Sequence, residues 1–487
     1  MTIAITDKTL LQTGAYIDGK WVGSDDSSTY EVTNPATGKV LAKVARCGTA
    51  ETRRAVEAAG RALEGWCRKT ALERSALLRR FFALMMEAQD DLARILTAEQ
   101  GKPLAESRGE IAYGASYIEW FAEEGKRIYG DVIPAPGNDK RIVVIKQPVG
   151  VVACITPWNF PNAMLARKIA PALAAGCTVV CKPANATPLS AFAFAVLAER
   201  AGIPAGVVNI VTGKTSEIGE ELTSNPIVRK LTFTGSTPVG KKLMADCSRT
   251  VKRTSMELGG NAPFIVFDDA DLDKAVPGAL ACKFRNAGQT CVCANRILVQ
   301  EGIYDEFAER LMKAAAGLKL GDGTAEGVTM GPLINEGAAN DVLGFIDDAV
   351  AKGANVVAGG GRSELGSCFI EPTILTNVDT GMRVFREEIF GPVAPLFKFR
   401  TEEEAIAIAN DTEFGLACYF YSRDIGRIWR VAEGLDYGIV GINEGIISNA
   451  MAPFGGVKES GQGREGSKYG LDDYLEIKYM CMGGIDR

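Results

Sequence analysis

From residue 149 onward, short and almost wholly apolar runs alternate with longer runs of helical period. Residues 149–155, 178–182, 207–211 and 228–234 read as strands, and 163–175, 188–201, 216–224 and a stretch after Ser236 as helices. Apolar strands joined by helices predict a parallel sheet covered on both faces. A second unit of the same kind follows Gly260. Its strands are expected at 264–267, 296–299, 355–358, 393–399, 418–421 and 438–442, and its helices include 272–284, 303–318, 342–352 and 402–409. Ahead of both lie short strands at 15–18, 21–22 and 40–45, then a helical span from 49 to about 129, broken at Gly101-Lys102-Pro103. Residues 131–147, with Pro134 and Pro136, predict a projecting hairpin arm. The alternating tail at 473–480 predicts a strand that docks on the arm of another subunit.

Composition narrows the chemistry. The chain has 487 residues, 47% hydrophobic and 23% charged, with a net charge of −6. That length supports two or three domains. The acidic balance argues against nucleic acid or an anionic membrane as partner. No run approaches the length of a membrane span, and residues 1–10 lack a signal-peptide pattern. Twelve cysteines without disulfide-scaffold spacing fit a reducing cytoplasm. There is no histidine, which excludes Ser-His-Asp and Cys-His catalysis and any His-ligated metal. A working base must be a carboxylate, a lysine or a tyrosine.

Ligands of parallel sheets bind at the carboxyl ends of the strands. Those ends carry Thr156-Pro157-Trp158-Asn159-Phe160-Pro161, Lys182-Pro183-Ala184-Asn185, Gly235-Ser236 and Glu257-Leu258-Gly259-Gly260. No complete GxGxxG is present, and Gly235 to Gly240 alone reads equally as a tight turn. The stretch Phe284 to Arg296 joins a helix to a strand, with Gly288 permitting a sharp turn before Cys291. Cys291 there is either a buried structural cysteine or a nucleophile presented at a turn.

These motifs together resemble the aldehyde dehydrogenase superfamily over essentially the whole chain. The resemblance rests on Pro157-Trp158-Asn159-Phe160-Pro161, Met256-Glu257-Leu258-Gly259-Gly260, Gly288-Gln289-Thr290-Cys291, Glu387-Glu388-Ile389-Phe390-Gly391-Pro392-Val393 and Pro453-Phe454-Gly455-Gly456-Val457-Lys458, in that order. It implies an α/β fold with a Rossmann-type cofactor domain (1–126 and 148–259), a second α/β catalytic domain (260–459), and an oligomerisation arm and tail (127–147 and 460–487). It implies a homo-oligomer, dimer or tetramer. It implies NAD- or NADP-dependent oxidation of an aldehyde, with Cys291 as nucleophile, Asn159 as oxyanion donor and Glu257 as general base. Lys182 and Glu388 would meet the ribose hydroxyls, Trp158, Gly235 and Ser236 the phosphates, and Phe390 the nicotinamide ribose, with Pro183, Ala184 and Leu258 alongside. Relatives that prefer NAD often carry Glu at position 185; Asn185 here admits a 2′-phosphate, so NADP is the expected cofactor and NAD the alternative.

The substrate expectation comes from Arg167, Arg285 and Ser448. In the succinate-semialdehyde dehydrogenase branch, these positions hold the distal carboxylate of the substrate. Glutarate semialdehyde or another ω-carboxy aldehyde is the alternative, since one methylene separates substrates by only about 1–3 kcal/mol. A non-catalytic protein on this fold would have lost Cys291, Glu257 or Asn159, and a CoA-acylating member would not need Glu257. Cys293, two residues from the nucleophile, is either a redox partner of Cys291, as in some members of that branch, or a small packing residue.

Overall fold

The structure, a computed structural model, describes residues 3–485. Residues 1–2 of the expected cofactor unit and 486–487 of the expected tail lie outside the described residues. The apolar runs from 149 to 257 form the centre of an eight-stranded sheet. Arg253–Glu257, Val228–Thr234, Val151–Ile155, Thr178–Lys182 and Val208–Ile210 lie parallel in that spatial order. Their side chains are buried on both faces, the pattern a helix-covered parallel sheet requires. The hairpin Ala15–Ile17/Lys20–Val22 extends one edge antiparallel, turning through Asp18 and Gly19 at φ 54° and 74°. Gly461–Gln462 closes the other edge against Met256 and Glu257.

The helix Ala163–Ala175 is buried on every side, and its composition explains this: it is apolar all round except for Arg167 and Lys168. The helical span 49–129 resolves into Thr49–Cys67, Ala71–Glu87, Gln89–Gln100 and Leu104–Glu124. Thr70 and Glu73 form a capping box at the second helix, and left-handed Gly101 (φ 98°) ends the third.

The second sheet has seven strands. Thr373–Thr376, Val393–Phe399, Ala294–Gln300, Ala262–Val266, Ala417–Tyr421 and Ile439–Ile442 are parallel in that order, and Asn355–Ala358 is added antiparallel at the first edge. Three strands escaped the sequence pattern: Thr29–Thr33, Thr373–Thr376 and Gly461–Gln462. The first is largely solvated, the second has only four residues, and the third has two and a left-handed glycine.

The tail corrects an expectation. Leu475–Met482 pairs antiparallel with Arg141–Pro148 of its own chain, not of another subunit, and Asp131–Ile133 pairs on the far side. The tail is tethered at its root: Val149 N–H donates to Tyr474 O at 3.0 Å, and Arg253 donates to Leu475 O at 2.6 Å. Buried Tyr474 lies under the Lys230 ammonium, 5.0 Å from the ring centre. Among the described residues no helix is long and apolar enough to cross a membrane.

Gly461 combines φ 124° with close approach, since a Cβ there would land on Met256 O. Gly353 has φ 100° but open space around it. Gly353→Ala should therefore cost only the left-handed strain, about 1–2 kcal/mol. Gly461→Ala should cost clearly more and unpair the edge beside Glu257. Urea-unfolding midpoints of the two variants test this ordering.

Candidate active site

The helix Leu272–Phe284 ends at Arg285, and the next three residues are left-handed, with φ 52° at Asn286, 53° at Ala287 and 76° at Gly288. Such residues cost about 1 kcal/mol or more each unless glycine, so the loop must be held from outside. Gly288 is required twice, because a Cβ would also land on Gly391 O. Buried amides do the holding. Asn286 donates to Asn159 O (3.1 Å) and Gln289 O (3.2 Å) and accepts from Gln100 (2.9 Å). Gln289 donates to Asn286 O (3.0 Å) and accepts from Ile334 N–H (2.9 Å). Cys293 N–H then donates to Thr290 O at 3.0 Å, which leaves Cys291 on the corner of a turn.

Two cavities meet at that corner, sharing Cys291 and Met164. One, of about 250 Å³, is lined by Arg285, Arg167, Ser448, Tyr113, Phe454 and Glu106 among others. The second, of about 230 Å³, is lined by Trp158, Asn159, Gly235, Ser236, Glu388 and Phe390 among others. Cys291 is half-buried and lines both cavities. Burial pushes its thiol up to about 12, with Arg167 pulling down and Glu388 and Glu257 pushing up.

Asn159 crosses from one sheet to the other. Its Nδ2 donates to Gln289 O (2.9 Å), and its Oδ1 accepts from Phe160 N–H (3.1 Å). This orientation leaves one Nδ2 hydrogen on the second cavity. Cys291 N–H donates to no other residue among those described.

Arg167, expected to face the distal carboxylate of the substrate, lines the first cavity but already has an ion-pair partner. It is 1% exposed and meets an anion inside the protein, Glu465 Oε2 at 2.6 Å, with the Phe454 ring 3.9 Å from its guanidinium carbon. Glu465 Oε1 accepts from Lys168 Nζ at 2.5 Å. Two cations thus share one carboxylate, leaving the cluster one positive charge in excess. Arg285 has no ion-pair or hydrogen-bond partner among the described residues; its guanidinium lies 5.5 Å from the Phe160 ring centre at the cavity wall.

Glu257 lines neither cavity. It is buried beneath them, its Oε2 without a partner among the described residues. Burial, and then Glu465, hold its carboxyl well above the carboxylate range, against Arg167, Lys168 and Arg464. Cys293 is turned away from Cys291, its thiol donating to Lys283 O at 3.3 Å; both thiols are free.

Of the positions expected to meet the dinucleotide, Trp158, Gly235, Ser236, Leu258, Glu388 and Phe390 line the second cavity, and Lys182, Pro183, Ala184 and Asn185 do not. Lys182 makes one long bond, to Pro183 O at 3.3 Å, and burial brings its ammonium down to about 8. Ser236 caps the helix Thr237–Ser248 with its hydroxyl unspent, an anion-binding arrangement. Trp158 and Phe390 meet edge to face at 5.6 Å. Glu388 accepts from Gly260 N–H (3.1 Å), and burial raises it to about 7. Asn185 lies apart, in a groove of about 1130 Å³ with Lys214 and Lys242. Its Nδ2 donates to Gly213 O at 2.8 Å, so half its donor capacity is already spent.

Sequence reasoning missed Lys168, Glu465, Glu106, Glu110 and Lys102. Lys168 beside Arg167 in an apolar helix was the available signal, because two adjacent buried cations demand a carboxylate. Gly101-Lys102-Pro103 was read only as a break.

Residues 21–480 match the aldehyde dehydrogenase family. The chain is 62% identical to a 3-sulfolactaldehyde dehydrogenase of Pseudomonas putida, covering 100% of both chains. It is 62% identical to a glutarate-semialdehyde dehydrogenase of Pseudomonas aeruginosa (99% of this chain, 100% of that one). It is also 62% identical to a succinate-semialdehyde dehydrogenase [NADP(+)] of Escherichia coli (98% and 99%). A crystal structure of succinate-semialdehyde dehydrogenase from Burkholderia pseudomallei superposes with a TM-score of 0.98 at 62% identity, covering 99% of this chain and 100% of that one.

A thiol titrating near 12 is ionised to only about one part in ten thousand at pH 8. Without cofactor or substrate, alkylation of Cys291 by iodoacetamide, followed by peptide mass spectrometry, should accelerate about tenfold per pH unit from 7 to 10. A plateau below pH 9 would show that a neighbour already holds the thiolate.

Proposed function

The chain belongs to the aldehyde dehydrogenase family, and from that premise we propose that it oxidises short aldehydes bearing a distal anionic group, succinate semialdehyde first among them, with NADP as the preferred cofactor. One observation carries the reading: a single thiol, Cys291, stands where a cavity lined by Arg167 and Arg285 meets a cavity lined by six of the residues expected to hold the cofactor, Trp158, Gly235, Ser236, Leu258, Glu388 and Phe390.

Hydride leaves only a tetrahedral carbon, so Cys291 Sγ adds to the aldehyde first and forms a thiohemiacetal. Because its own thiol is hard to ionise, the proton must pass to a base as the S–C bond forms. The oxygen of the substrate takes the electron pair and is met by the free Nδ2 hydrogen of Asn159 and by Cys291 N–H. Lys182 and Glu388 would hold the ribose hydroxyls of the dinucleotide, and Trp158, Gly235 and Ser236 its phosphates. When bound, its nicotinamide accepts the hydride. The acyl group left on Cys291 is a thioester, and water releases it. Glu257, whose burial makes its carboxylate a stronger base than an exposed one, takes the proton of that water in its ionised form, and the proton passes to the Cys291 sulfur as the thioester C–S bond breaks.

Arg285, unpaired, is the main partner for the distal anion. Ser448 supplies a hydroxyl, and the Arg167–Lys168–Glu465 cluster adds its surplus charge. Relatives of equal similarity act on succinate, glutarate and sulfonated aldehydes, and all three share this distal anion; a longer ω-carboxy substrate is the second reading. Asn185 offers no carboxylate to repel a 2′-phosphate, which favours NADP; Lys214 and Lys242 in its groove are already paired, Lys214 with Asp26 and Glu217 and Lys242 with Asp246. The twelve free thiols fit a reducing cytoplasm. A Cys291–Cys293 disulfide would first require Cys293 to leave Lys283 O. The arm sheet exposes Ile133, Ile477 and Tyr479 on one face and Val132, Met480 and Met482 on the other, apolar surface suited to a second copy of the chain.

Arg285→Ala should lower kcat/KM for succinate semialdehyde by about 10- to 150-fold, the worth of a charged hydrogen bond, and leave butanal within about threefold. Equal losses on both aldehydes would remove Arg285 from anion recognition. The same assay with each cofactor should give the higher kcat/KM with NADP, and Asn185→Glu should reverse that order.

A further inference from the structure

Lys102 is one of the most deeply buried lysines in the molecule, 1% exposed, and it touches neither cavity. Burying an ammonium is unfavourable unless its donors are all engaged. Its Nζ donates to Glu110 Oε2 at 2.6 Å and to Asn159 O at 2.7 Å, and lies 3.7 Å from the Phe160 ring centre. The other oxygen of Glu110 accepts from Asn162 N–H (2.9 Å) and Ala163 N–H (3.2 Å), at the start of the helix Ala163–Ala175. One ion pair therefore grips the turn 159–162 at both ends, by its first carbonyl and its last amides.

We infer that Lys102, with Glu110 as its counter-ion, is a positioning residue for the oxyanion donor Asn159. This rests on the role given to Asn159 above. The Asn159 peptide direction fixes its Cα–Cβ bond and hence where Nδ2 points. Asn159 O receives two donors, Lys102 Nζ and Asn286 Nδ2, and Asn286 is itself held by Gln100. Gln100 also accepts from Lys102 N–H at 3.0 Å. The two halves of the oxyanion site, the Asn159 amide and the Cys291 turn, are thus referenced to each other through residues 100–102. A neutral side chain of similar length would fill the space, but it would leave Asn159 O with one donor and Glu110 with no cation.

A double-mutant cycle on the full-length enzyme tests this. Asn159→Ala should lower kcat about 100- to 1000-fold. Lys102→Met should lower kcat about 10- to 100-fold, as a misplaced catalytic group does, with the aldehyde KM within about threefold. The double variant should be no slower than Asn159→Ala alone, because both losses run through one group. Cofactor-free hydrolysis of p-nitrophenyl acetate, which forms an oxyanion on attack by Cys291, should show the same pattern. Losses that multiply, or a Lys102→Met enzyme with full kcat, overturn the proposal. If Lys102→Met does not fold, Glu110→Gln enters the same cycle and is judged by the same criterion. An Asn159→Ala enzyme with full kcat would instead refute the oxyanion reading itself.

Discussion

The loop 285–293 is held in a conformation its own sequence disfavours, and the rest of the site depends on that restraint. Three successive left-handed residues hold together because Asn286 and Gln289 find a buried acceptor or donor for nearly every polar atom they carry. The acceptors come from elsewhere in the chain: Asn159 O after the first sheet, Pro332 O from the second unit. A strained loop satisfied by distant groups has few alternatives of similar energy. Cys291 is thereby fixed against both cavities at once. Solvent does not need to reorganise when charge develops there.

Electrostatics follows from the same enclosure. Cys291, Glu257 and Glu388 all sit where burial shifts the balance toward the neutral form. Positive charge is treated differently. Lys102 and Lys168 each have a carboxylate within 2.6 Å, Arg167 shares the one that serves Lys168, and Arg285 has none. Arg285, the one of these four without an ion pair, lines the first cavity beside the thiol. An anionic aldehyde meets it there, whereas a neutral one gains nothing from it.

Much of this was legible in the sequence, for physical reasons. Apolar runs such as 151–155 and 178–182 cannot be anything but buried strands, and Gly288 announces a turn. The positions proposed for catalysis stand out because the motifs carrying Asn159, Glu257 and Cys291 are specific. What stayed hidden is long-range pairing. Nothing local to Glu465 says that it neutralises Arg167 and Lys168, and nothing local to Lys102 says that its ammonium reaches Asn159. Helix-breaking residues on either side of Lys102 drew the reading toward backbone and away from its side chain. The tail failed in the same way: alternation identified a strand but could not say whose arm it would join.

The bridge between Lys168 and Glu465 spans 297 residues. At about 5–20 residues per second, a ribosome takes on the order of 15–60 s to cover that distance. Throughout the interval the helix Ala163–Ala175 carries two cations that have no counter-ion to be buried with. Until Glu465 has been made, burying that helix beneath the first sheet leaves both cations without their ion-pair partner, which carries a desolvation cost. Gly461–Gln462, arriving in the same stretch, completes the edge of that sheet beside Glu257. Burial of that helix is therefore favoured only once the stretch carrying Glu465 and Gly461–Gln462 has emerged, well after Cys291.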